Sequence, residues 1–165
     1  DWWYAAYHLG NLIKAALPSV HLCYGGPHVA IYPEETLSLD HVDSVIVGDG
    51  EEPFTYLCDM LASGTINNDI AGLHFKQYGV KNGEGRFFVQ KDPDSLPIPD
   101  RTLLPLQYYT SVFSPSDFIT TMVTSRGCPH SGGGSPGAEG FPSTLRRAGF
   151  QSAMPGDRRG QSQGF

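Results

Sequence analysis

The sequence predicts an α/β fold: a parallel sheet with covering helices. Three observations lead there. Helix-like and strand-like segments alternate over residues 2–64. The two strand-like runs are short and apolar, as strands buried between helices are. Each run stops at a glycine-bearing turn before the next helical pattern.

The elements follow in order. Trp2, Ala6, Leu9, Ile13 and Ala16 recur at helical spacing, which predicts a helix over 2–17. Pro18 disfavours helical geometry at Leu17 and ends it. Val20 to Tyr24 is a β-like run stopped by Gly25-Gly26-Pro27. Pro33-Glu34-Glu35-Thr36-Leu37 starts a short helix, with proline in the first turn and acids at the positive end of its dipole. Val45-Ile46-Val47 is a second buried strand, stopped by Gly48-Asp49-Gly50. Glu51, Glu52 and Pro53 then open a helix whose apolar face is Phe54, Leu57, Cys58 and Leu61, with Gly64 as terminator.

The pattern changes after residue 68. Leu73 to Lys76 alternates as a half-buried strand. Asn82-Gly83-Glu84-Gly85 signals a turn, so Arg86 to Gln90 is expected to return as the second strand of a β-hairpin. Asp92 to Asp100 reads as an extended linker stiffened by three prolines. Phe118 to Thr124 is one more apolar strand. Half of the 20 glycines lie from Gly127 onward, in a tail without lysine. Such a tail buries too little apolar surface to offset its ordering entropy, and disorder is the expectation.

Composition narrows the function. The 165 residues suffice for one domain of ordinary size. A formal charge of −6 excludes a general nucleic-acid binder, which needs a basic face. No apolar run is long enough to span a membrane. Three scattered cysteines do not form a secreted disulfide framework, and a reducing cytoplasm is the expected compartment.

Chemistry concentrates at the two turns, Gly25-Gly26-Pro27-His28 and Gly48-Asp49-Gly50-Glu51. Both would lie at the carboxyl ends of parallel strands, the edge where open α/β sheets bind ligands. Glycine lets a backbone approach a large flat ligand closely. The same residues also suit plain strand-to-helix turns, and neither turn matches a phosphate-binding glycine pattern. Glu51 and Glu52 read as helix-start acids. His28 reads as a solvated turn residue, and His21 as a hydrogen-bonded core histidine. Cys23 and Cys58 fall on apolar faces, as small hydrophobes do. Cys128 alone cannot hold an iron–sulfur cluster, which needs several converging thiolates.

The ordered motifs resemble a known junction: a cobalamin-binding domain followed by a radical S-adenosylmethionine domain. The matching pieces are Tyr24-Gly25-Gly26-Pro27-His28, Pro33-Glu34-Glu35, and Val42 through Phe54 with Gly48-Asp49-Gly50-Glu51. They continue with Ile70-Ala71-Gly72-Leu73, Leu96 through Arg101 and Thr124-Ser125-Arg126-Gly127-Cys128-Pro129. The resemblance implies a partial Rossmann-like (flavodoxin-like) sheet and four regions. Residues 1–68 would be the C-terminal part of the cobalamin domain, and 69–117 the hairpin and linker. Residues 118–130 would be the first strand and cluster loop of the radical domain, and 131–165 the tail.

It also implies cobalamin contacts at Gly25, Gly26, Pro27, His28, Gly48, Asp49, Gly50 and Glu51. Cys128 would be the first of three thiolates around a [4Fe–4S] cluster that binds S-adenosylmethionine. An unknown small molecule would be the substrate of the intact enzyme. Gly132 and Ser135 stand where the second and third cysteines belong. The family's lower-ligand Asp-x-His-x-x-Gly motif would lie upstream of Asp1. The alternatives are a non-catalytic cobalamin carrier and an inactive gene product. A reading-frame slip near His130 would explain the lost cysteines, and Gln151 to Asp157, back-translated and shifted by one base, resembles a later stretch of such domains. Resequencing those codons tests this; an intact frame removes it.

Overall fold

A computed structural model describes residues 2–105, 108–109, 125–126 and 146–147. These residues fall into two units, one ending at Gln90 and the other starting at Lys91. The predicted strand Phe118–Thr124, the cluster loop at Cys128 and most of the tail lie outside the described residues.

In the first unit the order is α1 (Trp2–Ala16), β1 (Cys23–Tyr24), α2 (Pro27–Ile31), α3 (Pro33–Ser38), β2 (Ser44–Ile46), α4 (Glu51–Ser63) and β3 (Leu73–Phe75). The sheet order is β1-β2-β3, with β1 parallel and β3 antiparallel to β2. The α/β class and the parallel pair are as the sequence predicts. The short helix α2 is new: the Gly25-Gly26 turn runs straight into it, with Pro27 at its first position.

The apolar run at β2 has a direct cause. Successive side chains on a strand point to opposite faces. Val45 and Val47 pack with Val29, Ala30, Leu37 and Val42 on one side. Ile46 packs with Leu57, Met60, Leu73 and Phe75 on the other. Helices cover both faces, so no polar alternation survives.

Two helical faces differ from expectation. On α4 the buried positions are Pro53, Leu57 and Met60. Phe54, Cys58 and Leu61 are exposed, so the buried stripe is rotated by one residue. Both stripes have helical spacing, and apolar periodicity alone does not choose between them. Gly64 ends the helix in the left-handed conformation, φ 70°, as predicted. On α1 the seated positions are Trp3, Tyr7, Gly10 and Lys14, while Trp2 is 94% exposed and Leu9 57%. The contact centres on a glycine, which hydrophobic spacing does not register.

The hairpin expectation is also corrected. Leu73–Phe75 pairs with β2, and Arg86–Gln90 does not return along it. Phe88 instead forms a parallel bridge to Gly48. Its amide donates to Val47 O at 3.0 Å, and its carbonyl accepts from Asp49 N at 2.9 Å. Glycine permits this approach: a Cβ on Gly48 would lie 2.1 Å from Phe88 O, and one on Gly72 2.7 Å from Phe88 N. His74, fully buried, holds the connecting loop. Its Nε2 lies 2.8 Å from Arg86 O, and its Nδ1 3.2 Å from the Lys81 amide. The loop thus closes on a side chain rather than on a ladder.

In the second unit, the proline-rich linker carries two short 3-10 turns, Pro93–Ser95 and Arg101–Leu103. Asp92 and Asp100 cap them by accepting from the amides of Asp94 and Thr102. A two-residue strand, β4 (Ser125–Arg126), pairs antiparallel with β5 (Arg146–Arg147).

Candidate functional site

The candidate site is built on the parallel pair. Cys23 faces Ser44 and Tyr24 faces Val45 across the β1–β2 ladder. Both strands therefore deliver their carboxyl ends to one sheet edge. The chain leaves that edge at Gly25 after β1 and at Val47-Gly48 after β2. A Cβ built on Gly25 would sit 3.7 Å from Ile46 O, so the first turn lies beside the end of β2. Gly25, Gly26, Gly48, Asp49, Gly50 and Glu51 thus share the carboxyl edge, as their positions in the sequence predict.

The two turns differ in what surrounds them. Gly26 has φ 95° and nothing within 4 Å of where a Cβ would stand. That turn is open. Gly48 has φ 104°, but Phe88 fills the space beside it. The Asp49 carboxylate accepts from the Gln90 amide at 2.8 Å, and Glu52 accepts from the Gln90 side-chain amide at 2.9 Å. Much of the second turn's backbone freedom therefore serves the chain's own 88–90 segment. Gly50 is half-buried, and a Cβ there would meet only the Ile46 side chain at 4.0 Å.

His28 is the polar group nearest the open turn in sequence. It is half-buried rather than solvated. Its ring stacks on Trp3 at 3.7 Å between centroids and 17° between planes, with Tyr32 tilted at 5.3 Å. Its Nε2 is buried and has no hydrogen-bond partner. A buried ring nitrogen without a partner is costly and is the kind of atom a ligand satisfies. Trp3 escaped the sequence reading because Trp2 occupied the stripe at its expense. The aromatic run Trp2-Trp3-Tyr4 was the available signal.

The opposite edge is structural. His21 Nε2 lies 2.8 Å from the buried Ser44 hydroxyl, as a hydrogen-bonded histidine should. Burial lowers its pKa, with Asp43 opposing and Lys14 adding to the shift. Asp43 accepts from the Leu22 amide at 2.7 Å and pairs with Lys14 at 2.8 Å. Burial alone would raise its pKa, but these contacts outweigh it and hold the carboxyl below its ordinary range. Cys23 packs as a hydrophobe beside the Ile46 cluster, and burial pushes its thiol up. Back at the carboxyl edge, Glu51 and Glu52 occupy the first turn of α4, where the positive end of the helix dipole stabilises acids.

Among the described residues no cluster of three or more His, Cys, Asp or Glu side chains could hold a metal ion. No described helix is long and apolar enough to cross a membrane.

Comparison with known proteins adds one finding. The chain is 37% identical over 128 residues to a Pyrococcus horikoshii protein described as an uncharacterized methyltransferase. The match covers 76% of this chain and 27% of that protein, so the chain spans about a quarter of its relative's length. No family model matches the chain. No solved structure matches it.

Proposed function

We propose that the first unit holds the corrin or nucleotide portion of cobalamin at the Gly25-Gly26-Pro27-His28 turn, within a protein whose intact form transfers methyl groups. One observation carries the reading. Two glycine turns leave the same carboxyl edge of a parallel pair, and at the first of them a Cβ on Gly26 would meet no atom within 4 Å. Gly25, Gly26 and the unpartnered Nε2 of His28 fit a large flat ligand with hydrogen-bonding substituents. Gly50 and Glu51 would border it. Gly48 and Asp49 would shape the floor through their hold on Phe88 and Gln90. Cobalamin, when bound, supplies a cobalt-centred carrier for a methyl group. The relative's description as a methyltransferase supports that reaction class.

The iron–sulfur centre does not fit this chain. Cys128 is followed by Gly132 and Ser135 at the other two ligand positions. Glycine offers no ligand atom, and a hydroxyl is a poor substitute for a thiolate. This favours a carrier role for the chain as it stands.

The test is a titration with hydroxocobalamin, followed by gel filtration and an absorbance spectrum. The native chain is expected to retain corrinoid. Gly25→Phe should abolish retention while leaving the circular dichroism spectrum unchanged. Gly25 has no positive φ, and a Cβ there makes only ordinary contact, so a side chain can start at this position without backbone strain. A native chain that elutes free of corrinoid would overturn the reading.

A further inference from the structure

The seat of α1 contains a feature that ligand binding does not explain. Gly10 rests directly on two rings: a Cβ there would lie 2.1 Å from Tyr24 Oη and 2.5 Å from His41 Cδ2. His41 is 4% exposed, and its Nε2 is buried without a hydrogen-bond partner. Tyr7 of α1 meets the His41 ring edge-on at 5.2 Å, and Tyr24 of β1 meets it at 5.7 Å. Among the described residues the other ties of α1 are few, and one is the edge-on contact of Trp3 with Tyr24 at 5.9 Å. Tyr24 Oη donates to Ala6 O at 2.9 Å, Lys14 pairs with Asp43 and donates to Val20 O, and Trp3 stacks on His28. The opposite face of the helix is bare.

A second proton on His41 has poor accommodation. A protonated imidazole carries two N–H donors, and Nε2 has no acceptor. The charged groups acting on the ring are Lys76, beyond β3, and Lys14, on α1, which repel the cation. Asp40, beside it in the chain, attracts it. Burial is the largest influence and, with the lysines, sets the ring's pKa below the ordinary histidine value.

We propose that His41 is a proton-operated latch for α1: the neutral ring seats the helix at Gly10, and protonation lifts it from β1. Release would also part Trp3 from His28, next to the Gly25-Gly26 turn. The latch stands on the packing of α1 and is independent of any corrinoid.

Hydrogen exchange of the full chain tests it. One proton taken up on opening predicts that the opening equilibrium of α1 rises by up to about tenfold per pH unit as pH falls below about 6.5, until the pKa of the seated ring is passed. Exchange is read at α1 amides, corrected for intrinsic rates, with the Val45 amide as reporter of whole-unit opening. His41→Phe keeps an aromatic ring without a titrating group, and should make α1 opening independent of pH. The imidazole proton resonance of His41 in the native chain should titrate together with α1 opening. This keeps the test decisive if His41→Phe misfolds. Opening of α1 that is independent of pH in the native chain, opening that still rises with falling pH in His41→Phe, a His41 titration that does not track α1, or a Val45 amide that opens in step with α1 would each overturn the latch.

Discussion

Three glycines separate three uses of the same missing side chain. Gly10 allows close packing within a helix, Gly26 leaves an open turn, and Gly48 combines a positive φ with close backbone approach. Gly26, at φ 95° and ψ −175°, lies in an extended region that essentially glycine alone adopts, so Gly26→Ala should cost about 1–3 kcal/mol through backbone strain alone. Gly48→Ala adds a Cβ 2.1 Å from a backbone oxygen, which cannot swing aside as a side chain can. It should cost more than Gly26→Ala, about 3 kcal/mol or above, and should detach the Phe88 bridge. Urea unfolding of the two variants checks the order; equal losses would show that Phe88 does not press on Gly48. The sequence marked both turns as special, but not that one faces the chain itself. Phe88 lies 40 positions beyond Gly48, and no local pattern encodes that meeting.

At the scale of elements, order was legible and facing was not. The alternation of helix and strand, the proline start of α3, the glycine stop after β1 and the glycine end of α4 all follow from local chemistry. Which stripe of α4 meets the sheet depends on Ile46, Leu73 and Phe75, residues from other elements. The same holds for the strand order: β3 pairs with β2, and the 76–86 loop that follows anchors on His74, contacts invisible to alternation. The observed facing has a direct check. Leu57→Ala removes a side chain that is 1% exposed and should cost about 2–5 kcal/mol. Leu61→Ala, at 44% exposure on the stripe the sequence favoured, should stay within about 0.5 kcal/mol. Similar losses at both sites would restore the sequence-based face.

Across the whole first unit, the buried histidines bias stability in one direction. His74 accepts the Lys81 amide at Nδ1, so in the folded chain its proton sits on Nε2 and points at Arg86 O. A proton on Nδ1 would break the first of these bonds. Burial lowers the pKa of His74; Lys81 and Arg86 lower it further, against the Arg86 carbonyl and Glu34. His41 and His21 are lowered by burial as well. A lowered histidine pKa means that the unfolded chain binds more protons below about pH 6.5. Stability is therefore full above that pH and declines as pH falls, until the folded-state pKa of each ring is passed. Each ring held neutral contributes a slope of up to about 1.4 kcal/mol per pH unit in its window. The lowered carboxylates Asp43 and Glu34 add to the loss only in the more acidic range, below their ordinary values. Unfolding free energies from urea titrations should accordingly be level near neutrality and decline as pH falls from about 6.5 toward the carboxylate range. A flat profile through that interval would mean that the three rings take up protons without disturbing the contacts that now hold β1, β2 and the 76–86 loop together.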